Sequence, residues 1–195
     1  MRVTKDPEER KAEIVSTARR LFEQNGYKET QIKDIVSQIG VAQGLFYYYF
    51  KSKEEVMEAV AKQYADQIMG AIREVVNRDD ALMRKIDAVF NVFITAANRE
   101  SKLFFEMMTA KNGEIHARIF IEIGEKLIPF VAEMIEMGNQ SGECKCENPA
   151  FFSRLFVAGL FSNINQIAPE QKIEYMISES SMIKEIIKRL FDVKM

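Results

Sequence analysis

Residues 40–55 read Gly40-Val41-Ala42-Gln43-Gly44-Leu45-Phe46-Tyr47-Tyr48-Tyr49-Phe50-Lys51-Ser52-Lys53-Glu54-Glu55, and this stretch decides the fold. Phe46 and Phe50 stand four apart on one face of a short helix running from Gln43 to Tyr49 or Phe50. Ser52 with Glu55 three residues on is a capping box, so a new helix opens there. Upstream, Ile32, Ile35, Val36 and Ile39 follow the i, i+3, i+4, i+7 spacing and Gly40 comes directly after. That predicts a helix of roughly two and a half turns beginning near Thr30. Two short helices joined by Gly40 to Ala42 form a helix-turn-helix, in which the turn sets the second helix across the first so that one face packs while the other projects.

Working outward, Asp6 and Pro7 supply a cap and a first helical residue. Ile14, Val15, Ala18, Leu21 and Phe22 then line one face of a helix that stops at Asn25-Gly26. With Phe46 and Phe50 folded back, Gln43, Gly44, Leu45, Tyr47 and Tyr48 are left facing outward. Adjacent tyrosines are a poor surface for water alone, but a phenol joins a flat apolar ring to a hydroxyl, which suits sugar, base and phosphate contacts. Gly44 lets a backbone approach closely. Lys53, in the first turn of the next helix, places a cation at the positive end of a helix dipole, where a phosphate would be stabilised twice.

Residues 8 to 57 resemble the DNA-binding head of the TetR family of bacterial transcriptional repressors. The matching residues are Leu21-Phe22 with Asn25-Gly26-Tyr27, Thr30 with Ile32-Lys33-Asp34-Ile35, and the string from Gly40 to Glu55. Three positions depart from the family habit: Ala42 for a hydroxyl residue, Leu45 for a small one and Tyr49 for histidine. Ala42 forgoes an N-cap worth about 0.5–2 kcal/mol, and Leu45 can touch a thymine methyl but cannot hydrogen-bond a base edge. The resemblance implies an operator reader using Gln31, Lys33, Gln43, Gly44, Leu45, Tyr47, Tyr48, Tyr49 and Lys53. It also implies an all-α chain of about nine helices, with a helix-turn-helix head (1–53) joined by a continuous helix to an effector-binding and dimerisation body (54–195).

The body carries the matching helical periodicity. One helix continues from the head through Val56, Val60, Tyr64, Ile68 and Ile72 to Asn77, and another presents Leu82, Ile86, Val89, Phe90 and Phe93. A further segment spans Ser101 to Lys111. A long helix from about Glu114 to Met137 contains Pro129, where a kink is expected. Here the resemblance implies a ligand cavity, with Phe90, Phe93, Ile94, Phe104, Met107, Met108, Phe120, Ile123 and Leu127 as its candidate lining. Phe and Met make an adaptable apolar wall, so the expected effector is apolar or aromatic. Asn91, Thr95, Asn98, Thr109 and Asn163 are polar candidates for orienting it.

Asn148-Pro149 opens a helix that is apolar around nearly its whole circumference, and a last helix runs from about Pro169. Such a helix must bury two sides, and one chain of this size covers only one of them. The resemblance implies a homodimer through these two helices, with Phe152, Leu155, Phe156, Gly159, Leu160, Asn163, Ile183, Ile186, Ile187 and Leu190 at the interface. Two such heads would read a near-palindromic double-stranded operator.

Composition bounds the rest. The 195 residues include 47% hydrophobic residues, enough for a packed core. Residues 1–53 carry ten Lys/Arg and seven Asp/Glu, so a head of net +3 sits on a body of net −5, which suits an anionic partner for the head. No stretch approaches the ~18 uncharged residues of a membrane span, no secretory signal opens the chain, and two cysteines make no disulfide framework. The chain is therefore expected in the cytoplasm. One histidine, His116, has no partner in view and reads as solvated. Cys144 and Cys146 lack further metal ligands, and Glu122, Lys126, Glu133 and Glu136 read as a solvated stripe. Neither a cofactor nor a metal is expected. A helical carrier or enzyme using the apolar body is the rival reading, disfavoured because no paired carboxylates, phosphate loop or ligand cluster accompany it.

Overall fold

The computed structural model describes residues 6–99, 113–168 and 171–194, with the side chains of all except 97–99 and 113–120. Among the described residues there are nine helices and no strand: α1 (Pro7–Asn25), α2 (Ile32–Ile39), α3 (Gln43–Tyr49), α4 (Lys53–Val76), α5 (Leu82–Arg99), α6 (Gly113–Ser141), α7 (Pro149–Asn165), α8 (Lys172–Ser178) and α9 (Ser180–Leu190). The segment Ser101 to Lys111 and the side chain of His116 lie outside the described residues. The last helix is two helices, divided at Glu179.

The head is set by its caps. Asp6 accepts the Glu8 N–H at 2.9 Å, and Pro7 takes the first turn, where an N–H would have no partner. Gly40 ends α2 in the left-handed region, at φ 74°, and its N–H reaches back to the Ser37 and Val36 carbonyls. Ser52 Oγ accepts the Glu55 N–H at 3.2 Å, while the Glu55 carboxylate takes the Lys51 N–H instead of the N–H of Ser52 itself. Helix α3 begins at Ala42 without a side-chain cap, so packing must hold it.

That packing comes from Phe46, which has no exposure and joins Ile14, Ala18, Phe22, Ile35, Val56 and Val60 in a closed cluster. Each of the two phenylalanines is worth roughly 1.5–3 kcal/mol of burial. The cluster runs on to Tyr64, and Ala65 is the first α4 residue of a second cluster that contains Ile72, Val76, Ile135, Val157 and Phe191. The two cores thus meet halfway along the continuous α4, the helix expected to join head and body.

In the body, α6 passes through Pro129 as one helix, with the proline on its exposed side, where water can replace the hydrogen bond the ring removes. Helix α7 lies against α6 beside Gly124, where a Cβ would meet the Phe161 ring at 3.3 Å. The charged stripe is not simply solvated. Arg73 reaches Glu133 at 2.6 Å with its guanidinium over Phe130, and Lys126 bridges Asp66 and Glu122 at 2.7 and 3.0 Å, so the stripe fastens α6 to α4. Partly exposed pairs of this kind contribute about 0–1 kcal/mol each. The cysteines are buried packing. Cys144 donates to the Ile135 carbonyl and Asn139 Oδ1, both at 3.4 Å, and burial pushes its thiol pKa up, away from reactivity.

Candidate nucleic-acid interface and ligand cavity

Helix α3 presents two opposite faces. Phe46 and Phe50 hold it to the head core, and the other side offers Gln43, Gly44, Tyr47 and Tyr48, all exposed. Tyr48 is 76% exposed, an unusual state for a large aromatic residue. A Cβ added at Gly44 would meet nothing within 4 Å, so the surface beside the tyrosines is open to close approach. Gln31 and Lys33 are also exposed, with the Gln31 N–H donating to Asp34 at 2.8 Å to start α2. Leu45 is half-buried.

Two of the candidate contact residues have partners within the head. Tyr49 is half-buried and packs on the head core, with its ring edge-on to Tyr48 at 4.9 Å, so it braces the exposed ring instead of standing beside it. Lys53 turns inward. Its ammonium donates to the carbonyls of Tyr27 at 2.7 Å and Thr30 at 2.9 Å, with Lys28 at 3.4 Å, and it lies 4.3 Å from the centre of the Tyr27 ring. All three ammonium donors are thus directed at the turn between α1 and α2. Lys53 thus pins the α1–α2 turn to the start of α4.

Below the head, Tyr64 and Glu23 join α4 to α1. The Tyr64 hydroxyl donates to Glu23, Arg19 pairs with the same carboxylate at 2.9 Å, and the Arg19 guanidinium lies 4.0 Å over the Tyr64 ring. Burial alone would raise the Glu23 pKa, but the phenol and guanidinium together hold it below the ordinary carboxylate value.

The body encloses a cavity of about 120 Å³ between α4, α5, α6, α7, α8 and α9. Of the expected lining, Phe90, Phe93, Ile123 and Leu127 are there. Ile94 is half-buried and is not among its described lining residues. Phe104, Met107 and Met108 lie outside the described residues, as does the side chain of Phe120. The polar candidates are elsewhere: Asn91 and Thr95 border an open groove between α4 and α5, Asn163 borders one between α7 and α9, and Asn98 and Thr109 fall outside the described side chains. What sequence reasoning missed is Lys172, which is 6% exposed and lines the cavity. Its setting, Glu170-Gln171-Lys172-Ile173-Glu174, gave no sign of burial.

The outer faces of α7 and α9 carry the apolar excess. Phe151, Leu155, Met182 and Ile186 are exposed, as are Gly159 and Asn163, and a groove lined by Leu155, Gly159, Asn163, Ile186 and Leu190 runs between the two helices. Ile183 and Ile187, also expected at this interface, are buried in the chain's own core at 5% and 4% exposure, with Ile183 at the floor of the groove, because an amphipathic α9 turns that stripe toward α7. Phe152, Phe156 and Leu160 also pack partly against that core.

Among the described residues no helix is long and apolar enough to cross a membrane, and no group of three His, Cys, Asp or Glu is placed to hold a metal.

Comparison with known proteins accords with this arrangement. Residues 14–60 match the family described as "Bacterial regulatory proteins, tetR family". The chain is 26% identical over 147 residues to an uncharacterized HTH-type transcriptional regulator, YerO, of Bacillus subtilis, a match covering 65% of this chain but only 51% of that protein. It is 22% identical over 179 residues to the fatty acid metabolism regulator protein of the same organism, covering 90% and 92%. Among solved structures, a transcriptional regulator from Cytophaga hutchinsonii superposes with a TM-score of 0.70 at 20% identity, covering 88% of this chain and 95% of that one. The head at residues 14–60 thus matches the tetR-family model of bacterial regulatory proteins, and the chain along nearly its whole length has the all-helical fold of the Cytophaga regulator.

Proposed function

We propose that the protein is a homodimeric, ligand-responsive repressor that reads a near-palindromic operator with α3 and releases it when a small apolar or aromatic effector fills the body cavity. The observation that carries this reading is the two-faced α3: Phe46 locks one side into the head while Tyr47, Tyr48, Gly44 and Gln43 project from the other. An α-helix is about 10–12 Å across with its side chains, which fits a major groove about 12 Å wide. The exposed apolar strip on α7 and α9 is the surface a second copy would cover. Pairing there would place two recognition helices about 34–36 Å apart, or a multiple of that spacing. Effector control requires only that the ligand bind one conformation more tightly than the other. Operation in the cytoplasm belongs to the same reading.

The test is fluorescence anisotropy with labelled DNA from upstream of the protein's own gene, titrated with salt and with unlabelled random DNA. Binding that survives random competitor and saturates at one or two dimers supports the reading. Binding that random DNA displaces at equal concentration, for every upstream fragment tried, contradicts it.

A further inference from the structure

One residue of α3 differs in chemistry from the polar groups beside it. Leu45 lies half-buried between exposed Gly44 and core-facing Phe46, one helical turn before Tyr48 and Tyr49. It also stands apart from the other apolar residues of α2, α3 and their turn. Ile32, Ile39, Val41 and Tyr49 all pack on the head core, and Leu45 does not join that cluster. Its N–H is already taken by the Ala42 carbonyl at 2.9 Å, the bond that opens α3. The methyl groups of its side chain are therefore what Leu45 presents outward.

A residue that offers methyl groups discriminates among bases in one way. In the major groove guanine, adenine and cytosine show only hydrogen-bonding edges, whereas thymine adds a 5-methyl group. Leu45 set against a polar edge would strip water from donors and acceptors and give no bond in return. Set against the methyl group, it removes apolar surface from water on both sides. The approach is open, because a Cβ added at the neighbouring Gly44 would meet nothing within 4 Å. In a helix-turn-helix the residues early in the second helix contact base edges, and Leu45 is the third residue of α3. We infer that Leu45 reads one thymine in each operator half-site through its 5-methyl group. The inference rests on α3 being the operator-reading helix and names a base that this helix selects.

Operator duplexes in which each thymine in turn is replaced by deoxyuridine, in both half-sites, test it, because the swap removes the methyl group and keeps every hydrogen-bonding group. In fluorescence anisotropy with the natural protein, one position is expected to bind about tenfold more weakly as deoxyuridine, two methyl contacts being lost per dimer. In Leu45→Ala the thymine and deoxyuridine forms of that position should bind equally. Leu45→Ser gives the same comparison if Leu45→Ala does not fold. A site with no thymine sensitive to the swap in the natural protein, or a sensitivity that survives the loss of Leu45, would overturn the inference and leave sequence-specific DNA binding by α3 standing. Failure to bind any duplex in preference to random DNA would overturn both.

Discussion

The hydroxyl of Tyr64 donates to the carboxylate of Glu23, and Ile68, one turn further along α4, lines the body cavity. One continuous helix therefore touches α1 through Tyr64 and the body cavity through Ile68. A ligand that displaces Ile68 acts on the same rigid element that Arg19 and Glu23 clamp to α1. Tyr64→Phe keeps the ring under Arg19 and removes only the hydrogen bond. It should cost about 1 kcal/mol, or roughly 2–4 °C in melting temperature for a chain of this size. It should also weaken the effect of a cavity ligand on DNA affinity. A melting temperature within error of the natural protein would remove this contact from the account.

The same clamp sets an acid dependence. Because the folded-state pKa of Glu23 lies below its ordinary value of 4.5, its contribution is present in full above that value and is lost as pH falls through the depressed folded value. Denaturant titrations between about pH 6 and pH 3 should therefore show a steeper loss of stability for the natural protein than for Glu23→Gln. Parallel curves would show that the carboxylate adds nothing.

Lys53 yields a prediction opposite to the one its sequence position suggests. Read as a phosphate contact, Lys53→Ala would flatten the salt dependence of DNA binding by about one unit per half-site. Read as the pin under the α1–α2 turn, it should lower thermal stability by about 2 kcal/mol, since three carbonyls and the Tyr27 ring lose their cation. Its salt slope should stay near that of the natural protein. A flattened slope with an unchanged melting temperature would reverse this assignment.

The head was legible in the sequence to within two residues, because its elements are fixed by local chemistry. Asp6 with Pro7, Gly26, Gly40 and Ser52 punctuate it, and Phe46 with Phe50 can only face a core. What the sequence hid were directions that depend on distant neighbours. Lys53, Lys85 and Lys172 look like surface lysines, yet a long apolar stem lets each ammonium turn inward: Lys85 donates to the Val76 carbonyl at 2.9 Å and closes the end of α4. Along α7 and α9 the pattern announced two apolar faces but not which belongs to the chain's own core: Ile183 and Ile187 are buried in it, while Ile186 and Leu155 are exposed. The cavity lining was legible as apolar, and the burial of Lys172 beside it was not.

The exposed strip makes a direct prediction about assembly. Leu155→Glu with Ile186→Glu places two charges on the outer faces of α7 and α9 without touching the buried stripe. Sedimentation velocity should then report a folded monomer, because a charge buried without a partner in an interface costs several kcal/mol. A dimer unchanged by both substitutions would place the interface elsewhere.

The central claim is that Tyr48, on the free side of α3, contacts operator DNA. The most direct test is the affinity of Tyr48→Ala for the operator and for random DNA, measured beside its melting temperature and oligomeric state. With 76% of Tyr48 exposed, its loss should leave stability within about 0.5 kcal/mol of the natural protein. Operator affinity should fall by about 1–3 kcal/mol while random-sequence binding changes little. Operator binding equal to that of the natural protein, in a variant that folds and assembles normally, would contradict the account.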